Sequence, residues 1–227
     1  MDRIYQRTEL VIGKENLDRL KKAHICICGI GGVGSYVLEA LARVGVGKIT
    51  VIDSDKVDMT NINRQLIATV ESVGNYKVCE AKKRINAINP QIEVIPIIDF
   101  LSKENVNQYI IQDLDYVIDA IDSVESKIAL IKTCKQREIK IISSMGMANR
   151  CDPLKIKVAD ISKTEMCPLA KVVRKRLKQE GITKVKVVFS IEQAAKSQSN
   201  ELGSLPYVPA TAGLIIASEV VKDIIER

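Results

Sequence analysis

Residues 25–34 read Ile-Cys-Ile-Cys-Gly-Ile-Gly-Gly-Val-Gly, and apolar residues at helical spacing follow in 33–44. This order predicts a β-strand that passes through a glycine turn into an α-helix. Such a turn brings backbone N–H groups close to a phosphate, and the N-terminus of the helix adds a favourable dipole. We therefore expect a nucleotide site, although the motif fits both G-x-G-x-x-G and G-x-G-G-x-G and leaves the nucleotide open. Its glycines are Gly29, Gly31, Gly32 and Gly34.

Strand and helix patterns alternate through the first 145 residues. Gly45 and Gly47 end the first helical pattern, and Asn89-Pro90 ends the second. Alternation of this kind predicts βαβ crossovers, and hence a Rossmann-like α/β fold with a mostly parallel sheet and helices on both faces. Strands are predicted at 24–29, 48–53, 92–98, 114–119 and 139–144, and helices at 33–44, 74–88, 103–112 and 123–137.

The character of the chain changes after Ser144, where we expect a mixed or antiparallel C-terminal portion. The patterns there predict strands at 154–160 and 184–190 and a helix at 168–179. Residues 192–206 are rich in Ser, Gln, Asn and Gly, which predicts a loop that is either a linker or a lid over a substrate. We expect one domain over 1–227, with a nucleotide-binding half at 1–145 and a half for substrate binding and dimerisation at 146–227.

Composition limits the class of protein. The chain is 46% hydrophobic and 27% charged with a net charge of +6, which is typical of a soluble globular protein. The N-terminus has no apolar signal core, so we expect a cytoplasmic protein with reduced thiols. The six cysteines include no C-x-x-C pair, which argues against a structural zinc site. The uncharged stretch 202–218 contains prolines and glycines and is just short of the roughly 18–20 residues of a spanning helix. We expect no transmembrane segment.

Charged residues at the ends of later strands bear on the identity of the nucleotide. Asp53 ends the second strand, where an acidic residue typically binds ribose hydroxyls. Arg64 and Lys77 are candidate cations for phosphates, and Asp122 is a candidate carboxylate for Mg²⁺. A dehydrogenase needs none of these three, and the single histidine, His24, provides little for hydride transfer that uses a histidine acid. A triphosphate such as ATP accounts for the whole set.

Five motifs in a fixed order resemble those of a known family. They are G-x-G-G-x-G, D-x-D at 53–55, N-x-N-R-Q at 61–65, V-G-x-x-K at 73–77 and D-A-x-D at 119–122. This order resembles the adenylating superfamily that includes the ubiquitin-activating enzymes and their ThiF- and MoeB-like bacterial relatives. Within it, the chain resembles the branch of tRNA threonylcarbamoyladenosine dehydratases. Further matches to that branch lie at 7–10, 163–164, 167–170, 208–209 and 212–219.

The resemblance implies an ATP site with Mg²⁺. Arg64 and Lys77 would stabilise the charge on departing pyrophosphate, Asp122 would bind the metal, and Asn63 would contact the nucleotide or orient Arg64. Arg7 occupies the place of an arginine that reaches across a dimer interface to the partner's ATP, so the resemblance also implies a homodimer. The implied catalytic residues are Arg7, Arg64, Lys77 and Asp122. The implied nucleotide-binding set is Gly29, Gly31, Gly32, Gly34, Asp53, Asp55, Asn61, Asn63, Arg64, Lys77, Asp122 and Ser123.

A basic stripe lies in the C-terminal half. Between Lys163 and Lys186, eight basic residues stand against two acidic ones. Such a stripe beside a nucleotide site suggests a polyanion such as tRNA, bound through its phosphates, although a solvated helix face has the same pattern. The candidate tRNA-binding residues are Lys171, Arg174, Lys175, Arg176 and Lys178.

The resemblance implies ATP-dependent cyclisation of threonylcarbamoyladenosine in tRNA through an acyl-adenylate, with net loss of water. Adenylation of the C-terminus of a sulphur-carrier or ubiquitin-like protein is the alternative, because it would use the same ATP residues; the missing cysteine pairs and the basic stripe argue against it. An NAD-dependent oxidoreductase or a non-catalytic nucleotide-binding protein would leave Arg64, Lys77 and Asp122 unexplained. A sulphur-transfer-type protein partner stays open, as do the roles of Cys151 and Cys167.

Overall fold

A seven-stranded sheet forms the centre of the computed structural model, which describes residues 3–195 and 202–226. The strand order is β3-β2-β1-β4-β5-β7-β6, and every neighbouring pair is parallel except β6 with β7. The strands are β1 (His24–Cys28), β2 (Lys48–Ile52), β3 (Glu93–Ile97), β4 (Tyr116–Asp119), β5 (Lys140–Ser144), β6 (Ile156–Asp160) and β7 (Lys186–Ser190).

Helices cover both faces of this sheet. One core contains apolar residues of α2, α3, α4 and α8, and the other contains those of α5, α6 and α7. Strand β1 shows the division, because Ile25 and Ile27 belong to the first core whereas Cys26 and Cys28 belong to the second. The helices are α1 (Gln6–Ile12), α2 (Lys14–Lys22), α3 (Gly34–Val44), α4 (Lys77–Ile88), α5 (Val106–Tyr109), α6 (Val124–Gln136), α7 (Pro168–Gln179) and α8 (Tyr207–Ile225).

The predicted Rossmann-like α/β class is confirmed, and each of the seven predicted strands occurs within a few residues of its expected bounds. The helix predicted at 74–88 begins later, at Lys77, because Gly74 has a φ of 87° and Tyr76 forms a β-bridge with Lys56. The helix predicted at 103–112 is a single turn, because Ile110 leaves the helical region with a ψ of 79°. Helices α1 and α2 were not predicted from the sequence.

The C-terminal portion extends the same sheet. Strand β7 lies parallel to β5, and β6 pairs antiparallel to β7 at the edge, so the expected antiparallel element is one outer strand. Helix α8 returns across the sheet and packs on α3, where a Cβ at Gly213 would lie 2.6 Å from the carbonyl oxygen of Val33. The close contact of two helices places the start of α8 beside the glycine turn.

The described residues form no helix that is both long and apolar enough to cross a membrane. All six cysteines are unpaired, and Cys26 and Cys28 are buried. The choice between lid and linker for 192–206 falls partly on 196–201, which lie outside the described residues.

Candidate active site

The loops that follow β1, β2, β4 and β5 meet at one edge of the sheet and enclose a cavity of about 710 Å³. Strand β1 is the point from which the sheet order runs outward in both directions, through β2 on one side and β4 on the other. In open parallel sheets, ligands bind beyond the carboxyl ends of the strands at such a point. The architecture therefore places most of the predicted nucleotide residues on a common pocket.

The glycine turn is shaped by close backbone approach. Gly29 has a φ of 90°, and a Cβ there would lie 2.7 Å from the carbonyl oxygen of Ala120; a Cβ at Gly34 would lie 1.9 Å from the carbonyl oxygen of Gly29. Gly31, by contrast, faces open space and lines the cavity. No described side chain caps the N-terminus of α3, and the N–H groups of Ser35 and Tyr36 donate to the carbonyl oxygens of Gly31 and Val33. The N–H groups of 31–34 make no described hydrogen bond and are available to an anion. Gly34 has a packing role and does not line the cavity.

Asp53 connects this turn to the end of β2. Its carboxylate accepts hydrogen bonds from the backbone N–H of Ile30 at 2.6 Å and of Asp55 at 2.8 Å. Burial raises the pKa of the Asp53 carboxyl, and nearby Lys77 and the two backbone N–H groups lower it less strongly. Lys77 is buried, and its Nζ contacts the Asp55 carboxylate at 2.7 Å. Asp53, Asp55 and Lys77 all line the cavity. A phosphate at Lys77 would share its ammonium with Asp55.

A 3₁₀ turn at Met59–Asn61 presents the next motif. Asp58 caps the turn, and the backbone N–H of Asp58 donates a hydrogen bond to Asn61 Oδ1. The Arg64 Nη1 donates to the carbonyl oxygen of Thr60 at 2.9 Å and to Asn63 Oδ1 at 3.0 Å. Asn61 and Arg64 line the cavity, whereas Asn63 does not. The geometry thus matches the second of the two roles expected of Asn63, that of orienting Arg64.

Asp122 lies at the cavity beyond the end of β4 and is exposed. Ser123 does not line the cavity; its side chain instead caps α6 by accepting a hydrogen bond from the backbone N–H of Ser126. No group of three His, Cys, Asp or Glu side chains suited to a metal occurs in the described part of the chain. The Asp122 carboxylate at the cavity is an oxygen donor of the kind that Mg²⁺ takes together with phosphate and water oxygens.

A fully buried ion pair lies beneath this end of the sheet. The Nζ of Lys127 on α6 is 2.9 Å from the Asp119 carboxylate, and both side chains are 0% exposed. Lys127 also donates to Ser143 Oγ and to the carbonyl oxygen of Ser144, while Asp119 accepts from the backbone N–H of Ile121. This network connects the ends of β4 and β5 and was not predicted, although a lysine among the apolar residues of α6 is the signal that it leaves in the sequence.

The second half of the cavity has a different lining. The loop that follows β5 and the start of α7 contribute mainly apolar side chains, with Arg150 almost fully buried among them. On the other side of the cavity, Gln65 has a buried Oε1 without a hydrogen-bond partner among the described residues. No individual residue of this half was predicted as a site residue from the sequence; they include Met145, Met147, Ala148, Asn149, Arg150, Cys167, Leu169 and Leu202.

Two further predicted groups lie away from the cavity. Arg7 is exposed on α1, a helix that buries none of its own residues. On α7, Arg174 donates to the carbonyl oxygen and hydroxyl of Thr164, and Arg176 pairs with Glu125 at 2.7 Å. The two arginines are therefore engaged within the chain. Three candidate cations of the stripe are exposed without a described ion pair: Lys171, Lys175 and Lys178.

The fold and the pocket define a nucleotide-binding protein of one known class. The profile of the ThiF family matches residues 5–227, and the chain belongs to that family. Within the family, it is 45% identical over 98% of its length to the tRNA threonylcarbamoyladenosine dehydratase of Bacillus subtilis, 94% of which is covered. The resemblance inferred from the motifs is confirmed.

Structural comparison agrees with that relationship. The Escherichia coli tRNA N6-threonylcarbamoyladenosine dehydratase in complex with ATP superposes with a TM-score of 0.93 at 40% identity, covering 98% of this chain and 93% of the other. A sulfur carrier protein adenylyltransferase of Thermus thermophilus is 36% identical over 56% of this chain and 47% of its own length. The likeness to the dehydratases therefore covers nearly the whole chain, whereas the likeness to the sulphur-carrier activator covers little more than half of it.

Proposed function

We propose that the protein is an ATP-dependent dehydratase that cyclises threonylcarbamoyladenosine in tRNA. One observation carries the proposal: a single cavity joins a phosphate-binding glycine turn to a mostly apolar compartment. The first half suits ATP, and the second has room for the modified base and its side chain. The near full-length similarity to a protein named as this dehydratase supports the same assignment.

The first step transfers AMP to the substrate. An oxygen of the threonylcarbamoyl carboxylate attacks the α-phosphorus of ATP, the bond from that phosphorus to the bridging oxygen breaks, and pyrophosphate leaves. The N–H groups of 31–34, in the glycine turn, bind phosphate oxygens, while Arg64 and Lys77 stabilise the negative charge that accumulates on pyrophosphate. Asp53, held by the N–H groups of Ile30 and Asp55, receives the ribose hydroxyls.

The second step is intramolecular. The carbamoyl group of the same side chain attacks the activated carboxyl carbon, the ring closes, a proton is lost and AMP leaves. Both reacting groups belong to one substrate, so proximity supplies much of the rate and no protein nucleophile or sulphur-transfer partner is needed. The apolar wall that includes Met145, Met147 and Leu169 limits the access of water that would hydrolyse the adenylate.

Asp122 is the proposed protein ligand of Mg²⁺, which neutralises phosphate charge when it is bound. The support is the position of this exposed carboxylate at the cavity, which Arg64 and Lys77 also line. Arg7 acts in trans in this proposal, so the working unit is a homodimer. The support there is geometric, because α1 buries none of its residues within its own chain and exposes Leu10 and Val11.

The tRNA contacts are proposed for the exposed lysines of α7. Arg174 donates to Thr164 and Arg176 pairs with Glu125, so in this proposal both arginines stabilise this face of the protein and do not bind tRNA phosphates. ATP and tRNA as substrates place the proposed reaction in the cytoplasm. The lysines that remain for phosphate contact are Lys171, Lys175 and Lys178.

The test is incubation of the protein with ATP, Mg²⁺ and threonylcarbamoylated tRNA, followed by mass spectrometry of the digested nucleosides. We expect a modified adenosine lighter by one water, formed together with AMP and pyrophosphate, and no change without ATP or with NAD in its place. An unchanged nucleoside with a protein that binds ATP would refute the dehydratase. In a parallel reaction with a sulphur-carrier protein in place of the tRNA, adenylation of the carrier's C-terminus would support the alternative function as a sulphur-carrier activator.

A further inference from the structure

Asn149 forms hydrogen bonds with both described stretches of chain between β7 and α8, which are 191–195 and 202–206. The backbone N–H of Ala195 donates to the carbonyl oxygen of Asn149 at 2.7 Å. On the far side, the Asn149 N–H donates to the carbonyl oxygen of Gly203 at 2.8 Å, and the Gly203 N–H donates to Asn149 Oδ1 at 2.6 Å. One residue of the loop after β5 therefore bonds the chain both at Ala195 and at Gly203.

The backbone of Asn149 is suited to this position. Its φ is 57°, in the left-handed region that asparagine tolerates better than most residues with a side chain. Gly203 approaches it so closely that a Cβ there would lie 3.2 Å from Asn149 Oδ1. The side-chain acceptor and the unusual backbone conformation are thus used together in one contact.

The segment that contains Gly203 also contacts the nucleotide half of the cavity. The carbonyl oxygen of Ser204, next to Gly203, accepts a hydrogen bond from Asn63 Nδ2 at 2.9 Å, and Asn63 Oδ1 accepts one from Arg64. The contact to the nucleotide half is thus made by Ser204 and Asn63, and Asn149 takes no part in it. Ala194, Leu202 and Ser204 themselves line the cavity.

We infer that Asn149 is a positioning residue for the tRNA substrate, because it holds the wall against which the modified adenosine lies. The inference rests on the proposed function. Ala194, Leu202 and Ser204 reach the cavity from a chain that Asn149 bonds at both ends, whereas the glycine turn and Asp53 have no bond to Asn149. Loss of its side-chain acceptor should therefore weaken binding of the modified tRNA and leave ATP binding intact.

The test compares substitutions at Asn149 in the full chain. Asn149→Gly keeps the left-handed backbone without strain and removes the Oδ1 acceptor, while Asn149→Asp retains an acceptor at the same place. Glu138→Gly is the matched control, because Glu138 has a φ of 56° but lies in the turn between α6 and β5 and does not line the cavity. The measurements are KM and kcat with threonylcarbamoylated tRNA, the Kd of ATP, and the thermal midpoint.

We expect Asn149→Gly to raise the KM for the modified tRNA about tenfold, the cost of one ordinary hydrogen bond, with a smaller change in kcat and an unchanged Kd of ATP. Asn149→Asp should restore most of the KM, and Glu138→Gly should behave like the wild type. A wild-type KM in Asn149→Gly, or a Kd of ATP that rises in parallel, would overturn the inference. If the wild-type protein binds ATP but leaves the modified nucleoside unchanged, the proposed function itself fails.

Discussion

Replacement of Lys127 by methionine tests the buried charges beneath the cavity. Methionine keeps an unbranched stem of similar length, so the change removes the ammonium with little loss of packing. The Asp119 carboxylate, 2.9 Å away and 0% exposed, then loses its counter-charge. Removal of one partner from a buried pair typically costs about 3–5 kcal/mol of unfolding free energy. In a domain of this size each kcal/mol shifts Tm by roughly 2–4 °C, so we expect Tm to fall by about 6–20 °C.

Two further variants separate this cause from general damage. Lys83→Met removes an exposed lysine that pairs with Glu80 on α4, and Tm should stay close to the wild-type value because exposed ion pairs contribute little. Asp119→Asn combined with Lys127→Met leaves no unpaired charge and should recover part of the loss. Thermal unfolding followed by circular dichroism gives all three values. A Tm for Lys127→Met equal to that of Lys83→Met, or a double variant no more stable than Lys127→Met, would contradict the reasoning.

Three other outcomes follow from the site and its surroundings. Asp122→Ala should retain the circular dichroism spectrum of the wild type, but its turnover should fall about 10²–10³-fold. When Asp122→Ala subunits are mixed with Arg7→Ala subunits and exchange is verified, activity should return. A mixture as inactive as its parents would refute the trans role of Arg7. Burial raises the pKa of the Asp223 carboxyl, but hydrogen bonds from Lys186 and Tyr116 outweigh burial and leave that pKa below its usual value. The stabilisation is thus present above the unfolded-state pKa of about 3.9 and is lost as the pH falls through the folded-state pKa. Asp223→Asn should therefore make stability less dependent on pH in acid denaturation followed by fluorescence. An unchanged acid-denaturation profile would show that Asp223 does not contribute to this pH dependence. Neutralising three lysines together should lower the slope of log K for tRNA against log salt by about 2–3 and leave ATP binding unchanged, and an unaltered slope would return the stripe to a solvated helix face. The lysines are Lys171, Lys175 and Lys178.

Local patterns carried much of the fold prediction, since each strand signal depends on neighbouring residues. The alternation of isoleucine with cysteine in β1 predicts a strand buried on both faces, and both cysteines are indeed 0% exposed. The shortened helix α5 shows the limit of this reasoning. Apolar residues continue past Tyr109, but the backbone of Ile110 leaves the helical conformation. No residue type in this segment predicts that the helix ends there.

The motifs predicted many of the polar residues that line the cavity, although Asn63 and Ser123, which belong to the same predicted set, do not line it. Asp53, Asp55, Asn61, Arg64 and Lys77 all line one cavity, because each directly follows a parallel strand or belongs to the connection after β2. Partner choice was not predictable from these positions. That Lys77 pairs with Asp55, and that Arg174 and Arg176 are already occupied, depends on distances between side chains that only the folded chain sets.

By itself, the sequence determined the strand–turn–helix nucleotide site, the order of the motifs and the family, because these depend on residue type and spacing along the chain. The tertiary structure decided the rest. It brought Lys127 into an ion pair with Asp119, and it placed Asn149 where it forms hydrogen bonds with both Ala195 and Gly203. Contacts between residues far apart in sequence leave no periodic signal, since their geometry arises from the packing of helices and loops around the completed sheet.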